Sequence, residues 1–282
     1  VAAAGGRLDV IATPIGNIDD LSPRARASLQ AADLVLAEDT RRTATLLGAC
    51  GISRPLLSLH DHNESSRVDA LLKRLRGGAV LALVSDAGTP LLSDPGFVLV
   101  RAVAAAGIDV RTIPGPSAVI AALAVAGLPT DRFVFEGFLP TRAGERRAVL
   151  ARLARETRTL VLFEAPHRIG KTLEQLAALF GSDRAAVIAR ELTKRHEHVY
   201  RGSLGELHQR ALQDVDLARG EITLIIAGAP AASAGDASLL SRALPLLLKD
   251  LPPARAAAIA AQLSGVPRRA AYEQALRLAA DR

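Results

Sequence analysis

Asp86 stands just after an apolar run, Val80-Leu81-Ala82-Leu83-Val84, and opens a loop that continues through Thr89, Ser93 and Asp94 to Pro95-Gly96. The run reads as a buried strand, and the residues after Gly96 read as a helix. A loop rich in Gly, Pro, Ser and Asp at the carboxyl end of a buried strand is where open α/β sheets bind ligands. Two carboxylates and several free backbone groups would converge there. Four more polar loops follow predicted strands: Thr13-Pro14-Ile15-Gly16-Asn17, Glu38-Asp39-Thr40-Arg41-Arg42, His60-Asp61-His62-Asn63-Glu64 and Pro114-Gly115-Pro116-Ser117-Ala118. If the strands are parallel, all five loops share one sheet edge and together point to a cleft.

Each residue has an ordinary reading beside the chemical one. Asp86 is a turn or cap residue, or a ligand contact. His60, His62 and Glu64 could hold a metal, but two His on one loop are more often polar surface, and no metal is expected. Glu38 and Asp39 precede a helix, where carboxylates favour the dipole. Ser117 either caps its helix or leaves the helix amides to a polar ligand. Glu164-Ala165-Pro166-His167-Arg168 follows a later strand and reads as catalytic or RNA-facing, or as structural. A Gly-x-Gly-x-x-Gly fingerprint, a Walker loop, a His-Glu-x-x-His helix and a nucleophile elbow are all absent from the sequence.

The elements that must position these loops come in three regions. From Arg7 to Pro116, strands at 8–12, 33–37, 55–59, 79–84 and 108–113 alternate with helices. Ser22-Pro23 opens the first helix as N-cap and first helical residue, and Asn63 caps the third. This alternation predicts a largely parallel sheet covered on both faces. From Ser117 to about Ala229 the order is mixed, with strands at 132–135, 159–163, 185–189 and 221–227 and a hairpin partner at 198–201. Pro114-Gly115-Pro116 reads as a domain hinge. Residues 230–235 read as a linker, and helices at 239–248, 254–263 and 268–278 form a basic unit whose Ser264-Gly265-Val266 resembles a helix-turn-helix turn. Domains are therefore expected at 1–116, 117–230 and 236–282.

Composition narrows the class. The 282 residues are 49% hydrophobic and 23% charged, an ordinary globular balance. The net charge is +6, and all but four of the 35 basic residues are arginine. A GC-rich genome explains that bias by itself; phosphate recognition by guanidinium forks is the sharper reading. Aromatic residues make up only 3%, so base-stacking platforms are scarce. The single Cys50 rules out an intramolecular disulfide and suits a reducing cytoplasm. The missing initiator Met suggests trimming or a shortened chain, and Val1–Gly6 carries no signal pattern. The longest apolar stretch, 118–128, is too short to cross a bilayer.

Seven segments taken together carry a resemblance: 11–17, 37–41, 85–96, 113–118, Phe135-Glu136-Gly137-Phe138-Leu139-Pro140 with 164–168, and Ala189-Arg190-Glu191-Leu192-Thr193-Lys194. From about Leu8 to Gly228 the chain resembles the tetrapyrrole methylase superfamily, in its branch that methylates ribosomal RNA. That resemblance implies an α/β fold of two α/β domains with the cofactor cleft between them and a small C-terminal helical domain. It implies methyl transfer from S-adenosyl-L-methionine to the ribose 2′-oxygen of a cytidine in 16S rRNA of the small ribosomal subunit, by a cytoplasmic homodimer. Carried over by position, Pro14 and Ile15 border the cofactor, Asp86 and Thr89 lie along its methionine or ribose portion, and Ser117 and Ala118 follow the Pro-Gly-Pro turn. Phe163 and strand 222–227 supply the far wall. Many members have Gly-Asp-Pro where this chain has Ser85-Asp86-Ala87.

For that chemistry, alignment of oxygen, methyl and sulfonium is the main lever, and a base should help remove the 2′-hydroxyl proton. Asp39, His60, Glu64 and Glu164 are the candidate acceptors. Arg24, Arg41, Arg42 and Arg168 are the candidate phosphate contacts. A corrin-type methylase, with a polycarboxylate substrate for a basic cleft, is the nearest alternative. A non-catalytic nucleic-acid-binding protein would leave the five loops unexplained, and a phosphatase with Asp86 as nucleophile lacks an obvious second acid.

Overall fold

The structure is a computed structural model that describes residues 5–230 and 236–280. The expected linker at 230–235, apart from Pro230, lies outside the described residues, as do the first four residues of the N-terminal segment. Chain packing separates two compact units, divided between Ala227 and Gly228.

The first unit contains two five-stranded sheets. Strands β1 (Arg7–Ile11), β2 (Leu34–Ala37), β3 (Leu56–Ser58), β4 (Val80–Val84) and β5 (Asp109–Ile113) pair in the order β3-β2-β4-β1-β5. Every pairing is parallel. Strands buried on both faces read as unbroken apolar runs, and β4 shows why. Ala82 and Val84 join the core beneath α1 (Pro23–Ala31) and α2 (Thr40–Ala49). Leu81 and Leu83 join the core beneath α3 (Glu64–Arg76) and α4 (Phe97–Ala105).

The second sheet is mixed. It runs β6 (Phe133–Phe138), β7 (Thr159–Glu164), β10 (Ile222–Ile226), β8 (Ala185–Arg190), β9 (His198–Ser203). β6 and β7 are parallel, whereas β10 opposes both β7 and β8, and β9 opposes β8 as its hairpin partner. Helices α6 (Ala143–Leu153), α7 (Ile169–Phe180) and α8 (Leu204–Gln213) cover one face through Leu150, Leu173 and Leu204. α5 (Ala118–Ala126) covers the other through Val119, Ala122 and Leu123, and Ile15 from the first sheet's β1 loop joins that same core. We propose 114–116 as the boundary between two sheet-centred halves, because α5, which follows this turn, packs on β8, β9 and β10.

In the second unit, α9 (Ala237–Leu247), α10 (Pro253–Ser264) and α11 (Arg268–Ala280) close around Leu240, Leu244, Ala256, Ala260, Ala271 and Ala275. Gly265 takes the left-handed conformation that ends α10 (φ 71°), as expected of a helix-ending glycine. Among the described residues no helix is long and apolar enough to cross a membrane.

One capping assignment changes. Ser22 caps α1 through its hydroxyl, but Asn63 makes no side-chain cap to α3. Its Oδ1 instead accepts from the His60 amide at 2.9 Å, because an Asn can close its own turn as readily as it can cap. Ser117 likewise makes no side-chain cap to α5. Glu64, read as a possible base, is 3% exposed, and its Oε1 accepts from the Leu99 amide at 2.7 Å. It thereby caps α4, whose own N-cap is Gly96 and has no side chain to offer. Glu64→Ala should strand that buried amide and cost ~1–3 kcal/mol, with Glu64→Gln recovering most of the loss; urea midpoints compare the three proteins.

A candidate active-site cleft between the two sheets

Parallel pairing places the carboxyl ends of β1, β2, β4 and β5 on one edge of the first sheet. The second sheet presents the carboxyl ends of β6, β7 and β8 together with the amino end of β10. A cleft of about 430 Å³ lies between these edges, within the usual size of small-molecule sites.

The 85–96 loop forms much of the wall and is tied down from several sides. Thr13 and Gly88 exchange backbone hydrogen bonds of 2.8 and 3.1 Å. The Thr13 hydroxyl donates to the Ser85 carbonyl at 3.2 Å, and the Thr89 hydroxyl donates to the Pro116 carbonyl at 3.0 Å. Asp86 Oδ1 accepts from the Asp39 amide at 2.9 Å, while Oδ2 pairs with Arg42 at 3.4 Å. The loop is nonetheless strained: Leu91 (φ 73°) and Ser93 (φ 69°) are left-handed. Glu191 (φ 51°) and Thr193 (φ 64°) are the other two such non-glycine residues among those described, and Leu192 between them also lines the cleft. Each such residue costs on the order of 1–3 kcal/mol and persists where its surroundings over-determine it, which happens most at functional sites.

Two glycines let the halves touch. A Cβ on Gly137 would lie 2.8 Å from the Ser93 hydroxyl, and one on Gly16 would lie 2.9 Å from the Thr193 hydroxyl. Thus β6 meets the 85–96 loop at one end of the cleft, and the β1 loop meets the 191–194 loop at the other.

Ile15, Asp86, Thr89, Ser117, Ala118 and Phe163 line the cleft, and so do Arg42 and Glu164. Pro14, expected beside Ile15, is only part-buried and is not among the lining residues. Asp39, His60, Arg24, Arg41 and Arg168 are not lining residues either.

The candidate bases are largely spoken for. Glu164 is 2% exposed, and both of its oxygens are occupied. Oε1 accepts from the Ala165 amide at 2.7 Å and pairs with Arg168 at 3.2 Å, and Oε2 accepts from the Thr172 hydroxyl at 2.6 Å. A buried carboxylate with this many donors is held firmly in place. Arg168, expected on RNA, instead donates to the Leu139 and Pro140 carbonyls. His60 Nε2 lies 2.9 Å from Asn63 Nδ2 and must accept there, because the Asn63 oxygen is already used by the His60 amide. The ring proton therefore sits on Nδ1, which is buried and has no hydrogen-bond partner. Asp39 accepts from the Arg41 amide and, in bidentate fashion, from its guanidinium at 3.1 and 2.8 Å. The Arg41 hydrogen bonds hold this carboxyl far below the usual carboxylate range, which makes it a poor base. Arg24 is exposed and reaches the Thr112 carbonyl at 3.4 Å. His60 and His62 meet edge-on at 5.9 Å, and no three potential metal ligands converge among the described residues.

Asp94, the second carboxylate expected in that loop but given no role, lines the cleft, and so do Phe138 and Leu192, which were not singled out. Burial pushes the Asp94 carboxyl up to about 6; the charges of Glu38, Asp86 and Asp61 add to the rise, and a Ser85 hydrogen bond opposes it. Burial, and then Asp86, also raise Glu38. Asp94 was visible as a polar residue in a suspect loop, but the left-handed turns at Leu91 and Ser93 that bring it to the cleft leave no mark on residue type.

A model for the Tetrapyrrole (Corrin/Porphyrin) Methylases matches residues 7–208, and one for the RsmI C-terminal HTH domain matches residues 233–279. The Ribosomal RNA small subunit methyltransferase I of Xylella fastidiosa is 52% identical over 267 residues, covering 95% of this chain and 98% of its own. The proteins of that name from Pseudomonas aeruginosa and Escherichia coli O157:H7 are 48% and 46% identical; they cover 97% and 96% of this chain and 98% and 95% of their own. Among solved structures, the methyltransferase CobJ superposes with a TM-score of 0.59 at 20% identity, covering 82% of this chain and 96% of its own. A uroporphyrin-III C-methyltransferase from Thermus thermophilus, complexed with S-adenyl homocysteine, gives 0.54 at 20% identity, covering 79% and 97%. At such identities these two structures establish a shared fold.

Because the folded chain holds the Asp94 proton up to about 6, against an ordinary 3.8, that group lowers stability as pH rises between those values. Asp94→Asn should therefore match the parent near pH ~3.5 and exceed it by ~1–3 kcal/mol at pH ~8, as read from urea midpoints across pH.

Proposed function

The chain belongs to the tetrapyrrole (corrin/porphyrin) methylase family, and from that premise we propose that its cleft methylates the ribose 2′-oxygen of a cytidine in 16S rRNA, using S-adenosyl-L-methionine. The observation that carries the ribosomal substrate is the extent of the likeness. Relatives named for small-subunit rRNA are about half identical over nearly the full length of both chains. The corrin and porphyrin methylases share the fold at about a fifth identity. We further propose the homodimer and the cytoplasmic setting usual for such enzymes.

The residues present suit the cofactor. Ile15, Ala118, Val119, Leu192 and Ile222 supply an apolar wall, and Asp86 and Asp94 set negative charge into it. When bound, S-adenosyl-L-methionine supplies a methyl carbon activated by a cationic sulfonium. Asp86 and Asp94 favour that cation, and charge counts for more in a partly closed cleft than in water. The uncapped amides at the start of α5 face the same space through Ser117 and Ala118 and suit a carboxylate. The closed packing at Gly16 and Gly137 keeps the two walls at a fixed separation, which is the positioning that in-line transfer demands.

For the proton of the 2′-hydroxyl we assign Asp94, in place of Asp39, His60 or Glu164. It lines the cleft, and burial pushes its carboxyl up to about 6, toward the range that suits a general base. The exposed Arg41 and Arg42 at the β2 loop, together with the net charge of +6, draw in the RNA backbone, so binding should weaken steeply with salt.

The direct test incubates the protein with labelled S-adenosyl-L-methionine and small subunits from a strain lacking the modification. Nuclease digestion should release labelled 2′-O-methylcytidine; label on a nucleobase, or transfer only to a tetrapyrrole, would end this reading. Asp86→Ala should abolish cofactor binding in calorimetry while the far-ultraviolet spectrum is unchanged. The methylation rate should rise as pH increases through about 6, and Asp94→Asn should flatten that profile and lower kcat ~10²-fold or more.

A further inference from the structure

Phe138 is 58% exposed and Leu92 is 41% exposed, yet both line the cleft. Apolar side chains left in water at the rim of a pocket commonly mark a binding surface. The backbone delivers Phe138 there by a specific device. In a regular strand Phe135 and Phe138, three residues apart, would point to opposite faces. The register of β6 against β7 slips between Phe135 and Gly137, with Gly137 at φ +71°. A bulge of this kind re-aims a side chain and is over-represented beside active sites. Both rings consequently pack on Phe163, Phe135 at 5.0 Å and Phe138 at 5.5 Å between centroids.

The segment after Phe138 is clamped from behind. Arg168 donates to the carbonyls of Leu139 and Pro140, Arg146 donates to those of Pro140 and Thr141, and Glu164 holds Arg168. On the opposing side Leu92 lies between the left-handed Leu91 and Ser93, and Ser93 is the residue that abuts Gly137. The contact that joins the halves therefore brings together the residues next to Phe138 and Leu92, and both of these side chains line the cleft.

We propose that Phe138 and Leu92 form a jaw that takes the planar nucleobase of the acceptor nucleotide. This rests on the RNA-methylating reading above. A flat aromatic ring opposed by an aliphatic side chain suits a base of any sequence, and the unstacked bases of single-stranded RNA are free to stack on such a ring. The location favours the acceptor over the cofactor's adenine: β6 is an edge strand of its sheet. The opposite end of the cleft, where Gly16 packs on the 191–194 loop, is lined by the buried Ile15 and Leu192, whereas Phe138 and Leu92 are exposed. The Glu164–Arg168 pair then serves the reaction as a positioning device, acting through Phe138.

The test compares Phe138→Ala, Phe138→Leu and Phe138→Tyr in the full chain. Calorimetry gives the Kd for S-adenosyl-L-methionine, and methylation of unmodified small subunits gives KM and kcat. Fluorescence anisotropy gives the Kd for a cytidine-containing single-stranded RNA. The Ala and Leu variants should raise KM and the RNA Kd ~5–150-fold, the equivalent of losing one base stack. Tyr should stay near the parent in both, and cofactor Kd should move less than about threefold, as expected of a stack confined to the acceptor. Equal performance by Leu, an unchanged KM and RNA Kd in Ala, or a loss seen instead in the cofactor Kd would each overturn the jaw. If the parent protein methylates no small subunit, the functional reading fails, and the RNA-binding arm still decides the jaw.

Discussion

The two-way backbone pairing between Thr13 and Gly88 is the constraint from which the cleft follows. It joins the loops after β1 and β4, whose strands are already neighbours in the sheet, and so commits the 85–96 loop to one path. The Asp86 carboxylate adds a tie to the β2 loop, and the Thr89 hydroxyl adds one to the turn before α5. With both ends held, the middle of the loop adopts left-handed conformations at Leu91 and Ser93 that it would not hold alone. The strain is concentrated where side chains must face a ligand.

A second network does the corresponding work in the other half. Glu164 receives an amide, a hydroxyl and a guanidinium, and Arg168 passes the constraint to the carbonyls after β6. Both oxygens of the buried carboxylate are thereby supplied with donors. The network also fixes the backbone that follows Phe138, whose ring packs with Phe135 on Phe163. The resemblance segment 135–140 and the segment 164–168, read as catalytic or RNA-facing, are therefore joined in three dimensions. At the cleft, burial and then the charges of Glu38, Asp86 and Asp61 hold the Asp94 carboxyl up to about 6.

Much of the architecture was legible in the residues. Unbroken apolar runs such as 80–84 require burial on both faces, and their alternation with helices requires a parallel sheet, so the gathering of polar loops at one edge followed without coordinates. Ser22-Pro23 announced a helix start, and Gly265 announced a helix end. Asn63 misled because a short polar side chain has several nearby backbone partners, and its type does not say which one it takes.

What the sequence determined by itself was the set of strands, the edge carrying the chemistry and the family, because these depend on burial patterns and on strings of residue types. What only the tertiary structure decided was which polar groups remain free. Glu164, His60 and Asp39 are acceptable bases as letters, and each is consumed by a partner: Thr172, Asn63 and Arg41. Asp94 and Phe138 reach the cleft through left-handed turns and a bulge, features of φ and register that residue type only weakly encodes. Availability of a side chain is a property of its surroundings, and the surroundings exist only once the chain has folded.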